Sequence, residues 1–314
     1  MHACGIVEDL TIRHVRWDLL PPDTLGVHGR SAVTSKPLTG RIVAVTGGAQ
    51  GIGKEIATHL AATGARVAIG DRDRDGARTT AAAIGGTTVG FDLDVSSRES
   101  FAAFLNAVEQ EWGPVDVLVN NAGVMWVGPF DEEPEAAQRR QFDVNLHGVI
   151  NGVKLAAPAM RSRGHGHIVT IASAASKLAP PGESTYAATK HAVYGYLTGV
   201  RAELRGSGVE LSVIMPGVVD TELAKGTATG SAKLLQPQDV AKAVVSVIQK
   251  PRFEVTLPSY VDPALRLVNV LPRLARDFVM RQMIPNQIEA TAGSSERADY
   301  ESRVIASDKQ GRNT

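Results

Sequence analysis

From Arg41 onward the chain alternates short apolar runs with longer segments of helical length, which leaves few folds open to it. The apolar runs are predicted strands, at 42–45, 67–69, 88–91, 115–119, 168–171, 211–214 and 253–257. The segments between them are predicted helices, at 52–63, 74–84, 97–112, 133–162, 184–206 and 237–249. Short runs that are apolar throughout are typical of strands buried on both faces of a parallel sheet. The pattern therefore predicts an α/β fold with a doubly wound parallel sheet.

This alternation defines one domain over 39–258, and the segments on either side of it differ in composition. Residues 1–38 have no sustained period and contain two Pro-containing breaks, so we expect an irregular N-terminal extension. Residues 259–285 predict an amphipathic helical segment, kinked or split at Pro272, with apolar side chains at helical spacing: Leu267, Leu271, Leu274 and Phe278. Residues 286–314 are polar with little apolar content, and we expect a disordered tail.

Charge and composition disfavour several classes of protein. Lys plus Arg equals Asp plus Glu at 33 each, so there is no net field and no nucleic-acid partner is predicted. The single cysteine, Cys4, cannot form an intrachain disulfide. No run approaches about 18 apolar residues, and Glu8 and Asp9 lie where a signal peptide would be apolar. We therefore expect a cytoplasmic protein.

A glycine loop follows the first predicted strand, at Thr46-Gly47-Gly48-Ala49-Gln50-Gly51-Ile52-Gly53, and a predicted helix begins directly after it. Where a buried strand turns sharply into a helix, glycine permits a positive φ and leaves room for a pyrophosphate at the helix N-terminus. A tight turn that binds nothing is the alternative, but the strand–loop–helix context favours a dinucleotide site.

Asp71 ends the next predicted strand, about 20 residues beyond the glycine loop, where a carboxylate can accept hydrogen bonds from the adenosine ribose. A 2′-phosphate near it would be repelled by about 4 kcal/mol per unit charge. The prediction is therefore NAD, with NADP disfavoured. Arg72 keeps NADP open, since its guanidinium could turn toward a phosphate.

Five motifs together resemble the short-chain dehydrogenase/reductase family. They are Gly47-x-x-x-Gly51-x-Gly53, Asp94-Val95, Asn120-Asn121-Ala122-Gly123, Tyr186-x-x-x-Lys190 and Pro216-Gly217, and the resemblance covers about 39–258. It implies a Rossmann-type, dinucleotide-binding catalytic domain that acts on alcohol or carbonyl groups. Motif position and resemblance assign cofactor contacts to Gly47, Gln50, Gly51, Ile52, Gly53, Asp71, Arg72, Asp94, Val95, Asn121, Ala122, Gly123, Tyr186, Lys190, Pro216, Gly217, Val219 and Thr221.

The predicted catalytic residues are Ser173, Tyr186, Lys190 and Asn145. Tyr186 and Lys190 share a helical face, and Ser173 ends the preceding strand at the sheet edge where ligands bind. A free tyrosine, with a pKa near 10, is a poor base at neutral pH. We expect the positive charge of Lys190 to bring the pKa of Tyr186 toward the working range. The resemblance adds Asn145 as a proton-relay residue.

These residues predict an oxidoreductase that transfers hydride between NAD(H) and a secondary alcohol or carbonyl, with Tyr186 as general acid/base. One alternative is a nucleotide-binding regulator or scaffold without turnover. Another is an enzyme that epimerises or dehydrates a nucleotide sugar with bound NAD. We expect the substrate pocket to be walled by the loop after Gly123, by 174–183 and by 218–235.

Three further expectations concern partners. His165 and His167 lack the additional ligands of a zinc site, so no metal is predicted. The resemblance implies a homo-oligomer, a dimer or tetramer, formed through 133–162 and 184–206. The basic amphipathic segment 262–283 either packs within the assembly or makes a peripheral membrane contact, and membrane contact would favour a lipophilic substrate.

Overall fold

A seven-stranded parallel sheet forms the centre of the molecule. The structure is a computed structural model that describes residues 37–230 and 232–306, so the N-terminal extension lies outside the described residues except for Pro37 and Leu38. The strands are β1 (Ile42–Thr46), β2 (Arg66–Asp71), β3 (Thr88–Asp92), β4 (Val117–Asn120), β5 (Gly166–Ile171), β6 (Val209–Pro216) and β7 (Glu254–Leu257). Their order across the sheet is β3-β2-β1-β4-β5-β6-β7. The predicted doubly wound α/β fold is confirmed.

Helices cover both faces of the sheet because its central strands are apolar on both sides. Val43 and Val45 of β1 pack into one core, whereas Ile42 and Ala44 pack into the other. The first core includes residues of α1 (Gly51–Ala62), α2 (Arg74–Ile84) and α7 (Pro237–Gln249). The second includes residues of α3 (Arg98–Trp112), α5 (Gly148–Arg163) and α6 (Ser184–Glu203). This arrangement explains why the strands read as continuous apolar runs.

The predicted helix 133–162 is divided in the structure. It consists of α4 (Glu135–Gln141), a π-helical turn at Phe142–His147, and α5. Turns of this kind inside helices are often found at functional sites, because the wider turn changes where a side chain points. Asn145 lies in this π turn. Helical periodicity in the sequence did not reveal the interruption.

The order of the strands creates a crevice beside β1. The chain runs outward from β1 through β2 to β3, and then returns to place β4 on the other side of β1. The connections after β1 and β4 therefore leave toward opposite faces of the sheet, and the carboxyl ends of these strands border an open crevice.

Between β7 and residue 306 the structure describes the helices α8 (Val261–Asn269), α9 (Arg273–Met283), α10 (Gln287–Thr291) and α11 (Ser295–Ala306). Pro272 immediately precedes α9, so the expected amphipathic segment is split at that proline. Large apolar side chains on α8, α9 and their junction are exposed: Leu267, Val270, Leu274 and Phe278. Within 37–230 and 232–306, no helix combines the length and hydropathy needed to cross a bilayer.

The structure differs from the expected disordered tail over 286–306, because α11 is anchored by buried polar contacts. Arg297 is only 3% exposed, and its guanidinium donates to the carbonyl oxygens of Met125 at 2.6 Å and Leu223 at 2.7 Å. Its Nε donates to Glu301, whose Oε1 also accepts from the Val127 backbone N at 3.0 Å. The polar composition predicted disorder, but in the structure the charged side chains of α11 form hydrogen bonds with backbone groups that are far away in the sequence. The expectation is corrected for this part of the tail.

Candidate active site

The carboxyl ends of the strands open into a cleft of about 690 Å³. All of the predicted cofactor-contact residues line this cleft, and so does Ser173. Asn145 is the exception among the predicted site residues, because it is fully buried and does not line the cleft. The fold thus brings together side chains that come from separate strand ends across the chain.

The glycine loop requires glycine at two positions where the backbone is crowded. Gly47 has a φ of +66°, and a Cβ added there would lie 2.8 Å from the Cα of Ala122. A Cβ on Gly53 would lie 2.1 Å from the carbonyl oxygen of Gly47. Asn121 supports the same turn, because its Nδ2 donates to the carbonyl oxygens of Thr46 at 2.9 Å and Gly47 at 3.0 Å. The loop is therefore a tight cradle that leaves its backbone exposed to the cleft.

Asp71 lies directly beside this cradle. Its Oδ2 accepts from the Ala49 backbone N and its Oδ1 from the Asp73 backbone N, both at 3.0 Å. Burial raises the pKa of the Asp71 carboxyl, although these backbone hydrogen bonds act in the opposite direction. Arg72 follows it with an exposed side chain. Both Asp71 and Arg72 line the cleft, which is where residues that distinguish NAD from NADP must lie.

Asp94 and Val95 form the floor of the cleft next to Asp71. Oδ1 of Asp94 accepts from the backbone N of Ser96 at 2.9 Å and from its hydroxyl at 2.6 Å, which fixes the turn after β3. Val95 is buried against Gly148, where an added Cβ would lie 2.8 Å from Val95 Cγ2. Opposite them, Pro216, Gly217, Val219 and Thr221 bring the loop after β6 to the same cleft.

Ser173, Tyr186 and Lys190 meet at the other end of the cleft. Ser173 precedes a 3₁₀ turn at Ala174–Ser176, and its Oγ accepts from the Ala175 backbone N at 3.1 Å. The Ser173 hydroxyl lies close enough to the Tyr186 phenol to lower the pKa of that phenol. The Nζ of Lys190 lies 5.5 Å from the Tyr186 ring centroid and donates to the Ile171 carbonyl oxygen at 3.4 Å. The three predicted residues are therefore adjacent in space.

Asn145 clamps the loop after β4. Its Oδ1 accepts from the Val124 backbone N at 2.8 Å, and its Nδ2 donates to the Val124 carbonyl oxygen at 2.9 Å and to Thr189 Oγ1 at 3.1 Å. Thr189 directly precedes Lys190 on α6. In this structure Asn145 therefore ties the loop to α6 from behind the cleft.

The electrostatics of Tyr186 differ from the expectation drawn from the sequence. Burial raises the pKa of the Tyr186 phenol above its ordinary value, and the charge of Glu183 adds to this, while the Ser173 hydrogen bond lowers it. Burial also lowers the pKa of Lys190 to about 8. We expected Lys190 to lower the pKa of Tyr186, and for the protein by itself this expectation is wrong. Burial disfavours both the phenolate of Tyr186 and the ammonium of Lys190.

Two residues at the site were not singled out from the sequence: Glu183, which lies in the predicted wall 174–183, and Tyr300. Glu183 is 7% exposed, lies three residues before Tyr186 and faces the cleft. Its place at the N-terminal cap of α6, three residues before Tyr186, could have identified it. Tyr300 reaches the cleft from α11, and its hydroxyl oxygen accepts from the Met125 backbone N at 3.3 Å. Nothing in the local sequence indicated that contact.

The predicted walls of the substrate pocket are present, through Val124, Leu178 and Thr227 among others. The structure adds a further wall from the segment after β7. Leu265 of α8, Ile284 after α9 and Gln287 of α10 line the cleft, as Tyr300 does. The pocket is thus shaped in part by the region outside the predicted domain.

Glu183→Gln is expected to flatten the pH dependence of stability between about pH 4.5 and pH 7. Burial raises the pKa of the Glu183 carboxyl to about 7 from its ordinary value of 4.5, against the opposing charge of Arg297. In this window the folded chain holds a proton that the unfolded chain has released. The wild-type free energy of unfolding therefore falls as pH rises, by on the order of 3 kcal/mol in total.

Urea unfolding of wild type and Glu183→Gln across this pH window measures the effect. Glu132→Gln is the matched control, because Glu132 is exposed. Stability profiles that stay parallel for wild type and Glu183→Gln would show that the Glu183 carboxyl is not held protonated by burial.

Comparisons with known proteins agree with this geometry. A family model described as short chain dehydrogenase matches residues 41–231. The chain is 30% identical over 264 residues to human 17-beta-hydroxysteroid dehydrogenase 13, covering 82% of this chain and 88% of that protein. It is 32% identical over 247 residues to glycine betaine reductase ATRR of Emericella nidulans, covering 74% of this chain but only 19% of that protein. This chain therefore spans about a fifth of the length of that second relative.

A solved structure shares the fold. It is a short-chain dehydrogenase/reductase from Burkholderia phymatum in complex with NAD, with a TM-score of 0.69 and 26% identity. The alignment covers 80% of this chain and 98% of that one. Together, the family match, the relatives and the shared architecture show that the chain belongs to the short-chain dehydrogenase/reductase family.

Proposed function

We propose that this protein is an oxidoreductase that transfers hydride between NAD(H) and a secondary alcohol or the corresponding carbonyl compound. The observation that carries the proposal is the meeting of Ser173, Tyr186 and Lys190 in the cleft that the glycine cradle also lines. A proton-transfer group and a dinucleotide site within one cleft are what such a reaction needs.

The residues of the cleft fit a nicotinamide dinucleotide. The glycine cradle would hold the pyrophosphate at the start of α1, since its close contacts leave no room for side chains at Gly47 and Gly53. Asp71 would bind the adenosine ribose, and the turn at Asp94 would border the adenine. When bound, the nicotinamide ring supplies the hydride acceptor or donor and, in its oxidised form, a positive charge.

Tyr186 is proposed as the general acid/base. In the reductive direction its phenol donates a proton to the carbonyl oxygen, and the raised pKa keeps that proton on the phenol at neutral pH. In the oxidative direction the phenol first loses its proton, and the resulting phenolate takes the proton of the alcohol. Lys190, with a pKa of about 8, stays mostly charged at pH 7 and stabilises the phenolate. Ser173 holds the substrate oxygen by a hydrogen bond while the phenol acts.

Asn145 contributes through position in this proposal. Its bonds to Val124 and Thr189 hold the loop after β4 against α6, and the Asn145 Oδ1 lies 3.4 Å from where a Cβ on Gly123 would stand. Lys190 Nζ lies 3.7 Å from the same point. Asn145 is therefore well placed to hold the loop at Gly123 at a fixed distance from Lys190. Its role in a proton relay stays a prediction.

Tyr186→Phe is expected to lower the turnover number by roughly 100-fold or more, because it removes the proton that the general acid/base transfers. NADH binding should be retained, since the ring itself is unchanged. The measurement is NADH formation from NAD across secondary alcohols ranging from small to steroid-sized and long-chain compounds. NADH fluorescence titration then reports binding.

Tyr196→Phe is the control, since Tyr196 lies on the same helix outside the cleft. Full turnover by Tyr186→Phe would disprove the assigned role. If the wild-type protein binds NADH but oxidises no alcohol, the alternative of a cofactor-binding regulator is favoured. Tightly held NAD that does not exchange would favour the nucleotide-sugar alternative.

The choice of NAD over NADP is proposed from Asp71. Asp71→Asn should weaken NAD binding about tenfold, the effect of losing one charge-assisted hydrogen bond. NADP binding should weaken less or improve, because the repulsion of a 2′-phosphate is removed. Fluorescence titration with NADH and NADPH measures both affinities. Asp75→Asn is the control because Asp75 is exposed outside the cleft, and an unchanged NADH-to-NADPH affinity ratio in Asp71→Asn would contradict the proposal.

A lipophilic substrate delivered from a membrane surface is proposed from α8 and α9. Their exposed apolar side chains Leu267, Leu274 and Phe278 are accompanied by the exposed cations Arg266 and Arg273. Apolar and cationic groups together suit an anionic lipid surface. The same helices reach the cleft through Leu265 and Met283, so bound lipid would lie near the mouth of the pocket.

Flotation with vesicles of phosphatidylcholine and phosphatidylserine tests this contact. The wild-type protein should float with anionic vesicles, and the double variant Leu274→Ser with Phe278→Ser should lose several-fold of that binding. Leu234→Ser is the control, because Leu234 is exposed outside these helices. No flotation by the wild type, with a dimer that the double variant dissociates, would instead assign this surface to a second copy of the chain.

A further inference from the structure

Glu183 has an unusual environment for a carboxyl group. It is 7% exposed and faces the cleft, yet no described residue donates a hydrogen bond to its carboxylate. Burying an acid without partners is unfavourable, and its pKa rises to about 7 as a result. Glu183 lies three residues before Tyr186, and both residues line the cleft. An unpaired acceptor in a cavity is a place where a ligand hydroxyl gains a hydrogen bond.

Arg297 is the cation whose charge reaches Glu183, and three of its five N–H donors bond other groups. Its Nη2 bonds the Met125 carbonyl oxygen, its Nη1 the Leu223 carbonyl oxygen, and its Nε the Glu301 carboxylate. Its positive charge lowers the pKa of the Glu183 carboxyl, against the larger effect of burial. That positive field also disfavours a ligand ammonium at the same place.

Tyr300 supplies the complementary group. Its ring lies under the Arg297 guanidinium, with 4.9 Å between the guanidinium carbon and the ring centroid. Its hydroxyl oxygen accepts from the Met125 backbone N at 3.3 Å, which leaves the hydroxyl hydrogen available to donate. Glu183, Tyr300 and the proposed acid/base Tyr186 all line the same cleft.

We propose that Glu183 and Tyr300 form a second polar subsite that binds a substrate hydroxyl other than the one that reacts. This inference rests on the proposed function. A hydroxyl needs one acceptor and one donor, and the Glu183 carboxyl and the Tyr300 phenol provide them. The surrounding wall is apolar, with Leu178, Leu223 and Leu265. The substrate class is therefore an apolar molecule with two oxygen functions, a secondary alcohol or carbonyl that reacts and a hydroxyl that orients it.

The test compares kcat/KM for a medium-chain 2-alkanol with kcat/KM for diols that carry a second hydroxyl at successive positions along the same chain. The wild-type protein should prefer at least one diol over the alkanol by about tenfold or more, as expected for a hydrogen bond to a charged group. Glu183→Gln and Tyr300→Phe should each reduce that ratio several-fold, mainly through KM. If these residues have only a structural role, the variants will change kcat/KM for the alkanol and the diol by the same factor. The ratio of the two kcat/KM values will then equal that of the wild type.

Glu132→Gln and Tyr196→Phe are the matched controls and should keep the wild-type ratio, because both residues lie outside the cleft. The inference is overturned if no diol is preferred, or if both cleft variants keep the ratio. In either case, alkanol oxidation that is lost in Tyr186→Phe would leave the proposed function standing. If neither the alkanol nor any diol is oxidised, the proposed function fails and this inference fails with it.

Discussion

Side-chain hydrogen bonds join the ends of β1 and β4, and the geometry of the cleft depends on them. The backbone ladder between these strands ends at the pair Val45 and Val119, where the two chains begin to diverge. Beyond that point Thr46 Oγ1 accepts from the backbone N of Asn121 at 3.0 Å and of Ala122 at 3.1 Å. The Asn121 amide in turn holds the first carbonyl groups of the glycine loop. Polar side chains thus continue the connection where strand pairing stops, and the loop can stay open toward a ligand.

Burial controls the chemistry at the other end of the cleft. Tyr186 and Lys190 lie four residues apart on one face of α6, Glu183 directly precedes this helix, and all three side chains are buried. Loss of hydration raises the pKa of Glu183 and Tyr186 and lowers that of Lys190, so burial shifts each group toward its neutral form. A ligand that brings charge or hydrogen bonds to these side chains changes their pKa values. The reactivity of Tyr186 is therefore coupled to what occupies the cleft.

The helices after β7 shape the pocket by two different means. α11 is held by buried polar contacts centred on Arg297, which connect the loop after β4 to the 3₁₀ turn at Glu222–Ala224. α8 and α9 instead leave several apolar side chains exposed. Both regions line the cleft, although neither carries a family motif. In this protein the motif-bearing part of the chain supplies the glycine loop, Ser173, Tyr186 and Lys190, and the C-terminal helices add further walls to the same cleft.

The sequence by itself determined the parallel α/β sheet, because runs such as Ile42-Val43-Ala44-Val45 can be buried only between two layers of helices. It also located the glycine loop, Asp71 and the pair of Tyr186 and Lys190, since these depend on local spacing next to a strand or within a helix. Only the tertiary structure decided the raised pKa of Tyr186, the clamp made by Asn145 and the place of Tyr300 in the pocket. These depend on burial and on contacts between residues far apart in the chain, such as Tyr300 with Met125. Local periodicity contains no information about such contacts, because they form only when the whole chain has folded.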